Sequence, residues 1–140
     1  AKGAWKAVPN IAGLQAMVPA QAKPNAVGGA AGFHTNDKSF GFTVMAVAKD
    51  RQGLTMAQVK QSTEEFLFDK WITSKASKDG WVLTWESPLM DFDTMERKGS
   101  TYNFEVRRRI AGTLYKCYGA VAKAAQLKAV VHTCQTIKKK

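Results

Sequence analysis

Long apolar runs are missing from this chain of 140 residues. Nowhere do 18 hydrophobic residues follow one another, so no segment reads as a membrane-spanning helix. Histidine and cysteine are scarce, two of each, and zinc would need all four, with His34 in a distant weak strand and His132 on a different helix face from Cys134. Catalytic signatures are absent too. There is no Gly-x-Ser-x-Gly elbow and no phosphate-cradling glycine loop, and Gly28-Gly29 precedes no helical pattern. No cofactor is expected. Acids are few in the last third, where residues 97–140 carry eleven Lys/Arg against Glu105 alone. Residues 1–96 balance ten against ten, so the whole net charge of +10 lies near the C-terminal end. Such asymmetry favours an anionic partner: an acidic protein, a headgroup surface or a nucleic acid. The opposing reading is a solubilising face with a frayed Lys138-Lys139-Lys140 tail.

What is present suffices for one domain. Hydrophobic residues make up 45% of the chain, and four Trp, seven Phe and three Tyr supply bulk for a single core. Residues 1–140 are therefore read as one domain, with 1–10 and 138–140 as loose ends. The opening Ala1-Lys2-Gly3-Ala4-Trp5 lacks the apolar core of a signal peptide, which suits the trimmed start of an exported protein.

Strands are expected at Ile11–Val18, stopped by Pro19, and at Ala30–Thr35, with turns at Lys23-Pro24-Asn25 and Gly28-Gly29. Phe40, Phe42, Val44, Ala46 and Ala48 alternate with residues nearly as apolar, the pattern of a central strand covered on both faces. Thr55 and Gln58 form a capping-box signature. Met56, Val59, Thr63, Phe66, Leu67, Lys70 and Trp71 then predict a helix ending near Lys75–Lys78. Trp81–Glu86 reads as a strand interrupted at Pro88, and Glu96–Ser100 as a turn. Tyr102–Ile110 and Thr113–Ala122 read as a hairpin closed by Ala111-Gly112. Leu127, Val130, Val131, Cys134 and Ile137 share one stripe of a final helix. Hairpins with helices packed on an antiparallel sheet make an α+β domain.

The hairpin register places Val106 opposite Cys117 and Arg107 opposite Lys116. Cys117 then shares the face that the final helix covers, Cys134 lies on that helix's apolar stripe, and Gly119 leaves room for a close approach. A Cys117–Cys134 disulfide is favoured over two buried thiols, and over redox chemistry, which usually shows Cys-x-x-Cys. A disulfide implies an oxidising compartment, periplasmic or secreted.

The order of elements from about Leu14 to Ile137 resembles the PsbP-like fold, known from an extrinsic subunit of photosystem II and from bacterial envelope proteins of the DcrB type. The stretches Tyr115-Lys116-Cys117-Tyr118-Gly119 and Val131-His132-Thr133-Cys134 are similar to the ends of small exported bacterial proteins. The resemblance implies an α/β sandwich without a shared catalytic site, acting as an accessory or binding module.

Among candidate sites, the outer face of the hairpin stands first. Arg107, Arg109, Lys116 and Tyr118, with Lys123 beyond, are read as a basic patch with an aromatic in it, suited to carboxylate or phosphate contacts. Arg108 falls on the apolar side and is expected to reach the sheet rim or to pair with an internal acid. A single aromatic and no recognisable module argue against nucleic acid. Asp91, Asp93 and Glu96 read as a solvated strand edge, lacking the further ligands of a calcium loop. Glu65 and Asp69, one helical turn apart beside Glu64, either stay solvated or dock on the basic third. The expected function is a non-catalytic domain binding a protein or another anionic partner, in an undetermined oligomeric state. The alternatives are an immunity protein inserting a loop (Lys98–Thr101 or Asn25–Gly32) into an enzyme, and a small-ligand carrier using Trp5, Trp71, Trp81 or Trp85.

Overall fold

The computed structural model describes residues 4–27 and 30–139. Its centre is the hairpin expected from the sequence. β8 (Glu96–Ile110) and β9 (Thr113–Val121) pair from Ile110↔Thr113 onward, with Val106 opposite Cys117 and Arg107 opposite Lys116. Ala111 and Gly112 both adopt positive φ, 51° and 87°, the turn geometry that matches the twist of the two strands. Five more antiparallel pairings extend this hairpin into a seven-stranded sheet. Its order is β3 (Lys23–Val27), β4 (Ala30–His34), β5 (Gly41–Ala46), β9, β8, β7 (Gly80–Asp91), β6 (Lys70–Ser77). β1 (Trp5–Ile11), β2 (Leu14–Pro19) and β10 (Lys138–Lys139) form a separate small sheet.

Period-two alternation sends the two sets of side chains to opposite faces of the large sheet. One face carries Phe42, Val44, Phe104, Val106, Cys117 and Val121, all buried. It is covered by α2 (Leu127–Thr136), through Leu127, Val130 and Cys134, and by Val8, Ile11, Leu14, Ala16 and Val18 of the small sheet. Thr133 Oγ1 ties α2 to the small sheet by donating to the Met17 carbonyl at 3.1 Å. The opposite face carries Trp81, Leu83 and Trp85 of β7, over which α1 (Met56–Glu64) lays Val59. Most of the chain is thus antiparallel sheet with two helices, an α+β domain, and Cys117 and Cys134 are joined in a disulfide with their α-carbons 5.6 Å apart.

The first helix stops at Glu64, because Leu67 turns left-handed (φ 48°) and Lys70–Ser77 becomes an edge strand. Phe66, read as part of the helix's apolar stripe, is 72% exposed. The Thr55–Gln58 capping box is present, with Thr55 Oγ1 accepting from the Gln58 amide and Gln58 Oε1 from that of Thr55. Pro88 does not interrupt β7. It pairs with Ser100 where β6 has already ended at Lys70↔Glu86, so its missing N–H leaves no neighbour unpartnered. Glu96–Ser100 is strand rather than turn, so Lys98–Thr101 is no inserting loop; the reversal is made by Asp91–Glu96, with the Met95 amide donating to the Asp91 carbonyl at 2.7 Å. Lys23–Val27 is strand where a turn was expected, and Gly28-Gly29 lies outside the described residues. At the ends, Trp5–Ile11 and Lys138–Lys139 are strands, while residues 1–3 and 140 lie outside the described residues.

Candidate functional site

The expected basic patch divides into separate environments. Arg107 lies on the predicted face but is only 5% exposed. Its Nε donates to Glu105 Oε2 at 2.8 Å, two residues along the same side of β8, and its guanidinium sits 4.9 Å from the Trp81 ring across the ladder. Arg107 is therefore a buried, internally paired cation, not a surface contact. Arg109 is exposed and donates to the Gly112 carbonyl in its own turn. Lys116 lies 4.8 Å from the Tyr118 ring, both half-buried, and the Tyr118 hydroxyl reaches Met45 Sδ at 3.9 Å. Lys123 sits past the other end of β9, where its amide donates to Gln126 Oε1 at the start of α2. Arg109, Lys116 and Tyr118 thus share a face, and Lys123 stands apart from them.

Arg108 projects to the opposite face, beside the Lys78–Asp79 end of the sheet, and forms no ion pair among the described residues. Its Nη1 donates to the carbonyls of Cys134 (3.0 Å) and Ile137 (2.7 Å), a side-chain cap on the last turn of α2 that also suits the helix dipole. Burial lowers the guanidinium's pKa and nearby Asp79 raises it.

This cap borders a feature that the sequence did not disclose. α2 lies over β8 and β9 but covers the same face of β7 and β6 only in part. Between the helix and those outer strands runs a groove made of two adjoining hollows of about 340 and 360 Å³, which share Lys75, Val82 and Gln135. Both sizes fall in the range of small-ligand sites. Val82 and Thr84 of β7 and Ile72 of β6 form an apolar stretch with Leu127 and Val131 of α2. Thr84 is 3% exposed, and its Oγ1 has no hydrogen-bond partner among the described residues. Around this floor stand Lys75, Lys78, Arg108 and Lys128, with Arg107 also in the lining and Asp79 the one acid there among the described residues. Helical spacing explains the α2 wall, since Ala124, Leu127/Lys128, Val131 and Gln135 recur every three or four residues along one side. Leu127 and Val131 were read from sequence as core, and Lys75 as the end of a helix. The missed signal was Trp71-Ile72-Thr73, an aromatic and β-branched run typical of a strand.

Asp91 Oδ1 accepts from the Asp93 and Thr94 amides (2.9 and 3.4 Å), so these acids shape a turn. Among the described residues no three His, Cys, Asp or Glu side chains gather to hold a metal ion. Asp69 lies outside α1 and forms a two-point bridge with Arg97 (3.2 and 2.7 Å), an in-chain docking on the basic third. Trp71, Trp81 and Trp85 gather under α1 as core, whereas Trp5 packs on Phe40 at the small sheet. No helix of the described residues is long and apolar enough to cross a membrane.

The class defined by these features is a disulfide-pinned α+β domain with a cation-rimmed groove on its helix-covered face. No known family model matches the chain, and no curated protein matches its sequence.

Proposed function

We propose that this is a non-catalytic exported domain, periplasmic or secreted, that binds an acidic partner bearing apolar side chains in the groove beside α2. The observation that carries this reading is the juxtaposition of four cations, Lys75, Lys78, Arg108 and Lys128, with an apolar floor. An anionic group meets the rim, an apolar one displaces water from Ile72, Val82, Leu127 and Val131, and neither contact needs a reacting centre. The disulfide supports an oxidising compartment. The resemblance to PsbP-like envelope proteins supports an accessory role, with α2 and the small sheet on one face of the large sheet and α1 on the other read as that sandwich.

The test uses a fluorescently labelled peptide of alternating Asp and Phe, followed by anisotropy. Reversing Lys75→Glu with Lys128→Glu is expected to weaken binding more than about tenfold, the equivalent of roughly 1.4 kcal/mol. Reversing Arg109→Glu with Lys116→Glu on the other face is expected to leave it nearly unchanged. The opposite pattern would move the site to the face of Arg109, Lys116 and Tyr118 and remove this reading.

A further inference from the structure

The hairpin of β7 and β8 outgrows its sheet. β6 reaches it no further than Lys70↔Glu86, and β9 no further than Val121↔Tyr102. Among the described residues, 87–101 therefore pair only with each other, as a two-stranded arm. A free two-stranded ribbon is marginal in water. This one is braced at Arg97, which holds Asp69 in the two-point bridge and lies 3.8 Å from Glu86. The brace fixes the direction of the arm, which extends roughly 17 Å for its five residues past Glu86.

The tip has a chemistry unlike the rest of the molecule. Leu89, Phe92 and Met95 are 49%, 64% and 66% exposed, three of the large apolar side chains that the fold leaves in solvent. Between them stand Asp91, Asp93 and Glu96, with no base from 91 to 96, on a chain whose net charge is +10. Lys98 lies 4.0 Å from Asp91 and 3.9 Å from Glu96, while Asp93 has no ion pair among the described residues. An apolar tip with an acidic surround is the complement of a groove with an apolar floor and a cationic rim.

We infer that the partner is a second copy of this chain, whose arm tip seats Phe92 and Met95 in the groove beside α2 and sets Asp93 against Lys128 and Lys75. This inference rests on the groove being the binding site. The contact cannot close within one molecule. β9 ends beside Tyr102 and leads into Ala124, so the groove starts at the arm's base and runs back over the sheet, while the arm points away from it. Tip and groove are different surfaces, so the contact is head-to-tail and builds rings or open chains rather than a closed two-fold dimer. It also reduces the repulsion that a net charge of +10 otherwise imposes on self-association.

Sedimentation across a concentration series at low salt tests this. Wild type is expected to assemble beyond a monomer, and 0.5 M salt to weaken the assembly. Asp93→Lys alone and Lys128→Glu alone are each expected to weaken it about tenfold, one ion pair's worth at roughly 1.4 kcal/mol. An equimolar mixture of the two is expected to regain it, because each reversed tip then meets a groove of opposite sign. Phe92→Ser, at an exposed position, should weaken assembly without lowering the melting temperature. A wild type monomeric at every concentration overturns the inference, as does assembly that ignores both substitutions or variants that fail to complement. If the Asp/Phe peptide still binds while the protein stays monomeric, the groove stands and only the self-association falls. If neither is seen, both fall.

Discussion

The guanidinium of Arg107 rests 4.9 Å from the Trp81 ring, directly across the β7–β8 ladder, with its Nε bonded to Glu105 at 2.8 Å. Its Nη1 and the Trp81 Nε1 have no partner among the described residues, so this cation is held by a carboxylate and an aromatic face. Removing one member of a buried pair strands the other. Glu105→Ala is expected to destabilise by about 3–5 kcal/mol, and Arg107→Met combined with Glu105→Leu to recover most of that. Arg109→Ala, two residues along but exposed, should stay within about 0.5 kcal/mol. Urea midpoints distinguish the three variants, and equal losses for Glu105→Ala and Arg109→Ala would contradict a buried Arg107–Glu105 pair.

The Cys117–Cys134 bridge spans a separation of 17 residues and fastens α2 to the central strand β9. Closing a loop of that size restricts the unfolded chain by roughly 3 kcal/mol on the chain-entropy estimate. Denaturation with and without reductant should show a difference of that size. Alkylation of the native protein without reductant should add no mass. Two adducts under those conditions would remove the disulfide and, with it, the argument for an oxidising compartment.

Gly119 was expected to make room for the approach of α2, but its space is used by a strand neighbour. A Cβ there would stand 3.1 Å from the Phe104 ring and 3.1 Å from the Gly41 carbonyl. Phe104 is 1% exposed and faces Gly119 across the ladder, so neither the ring nor the backbone can yield freely. Gly119→Ala should therefore cost about 1–3 kcal/mol by overpacking. A neutral or stabilising result in thermal melts would show that the ring can shift.

The C-terminal hairpin, its register and the facing cysteines were legible because each rests on local signals that agree. A tight turn, strict alternation and a helical stripe point to one arrangement. The groove was not legible, because it is defined by what α2 fails to cover, and coverage is a property of three elements together. The Val59–Trp71 stretch misled for a simpler reason. Its apolar residues fit a helical period through Phe66 and Leu67, yet the chain bends at Leu67, and Trp71 packs on Trp85 from an edge strand instead. Arg107 misled in the reverse way. Alternation gave its face correctly, but nothing local indicated that Trp81 and Glu105 would bury it.

The turn leading into β5 makes a prediction about pH. Asp37 Oδ1 accepts from the Thr35 hydroxyl (2.6 Å), the Ser39 amide (3.0 Å) and the Ser39 hydroxyl (2.7 Å). Three donors favour the ionised form, led by Thr35, and hold this carboxyl down to about 2 from an ordinary 3.8 although it is fully exposed. A carboxyl lowered on folding contributes stability that is complete above the unfolded value of 3.8 and is lost as pH falls through about 2. Carboxyl-carbon chemical shifts should therefore place the Asp37 midpoint well below 3.8. Thr35→Val removes the leading donor and should move the midpoint upward, towards 3.8, while Ser39→Ala should move it less. A wild-type midpoint already near 3.8 would mean that the Thr35–Asp37–Ser39 turn is open in solution, and β5 would then enter the sheet without that anchor.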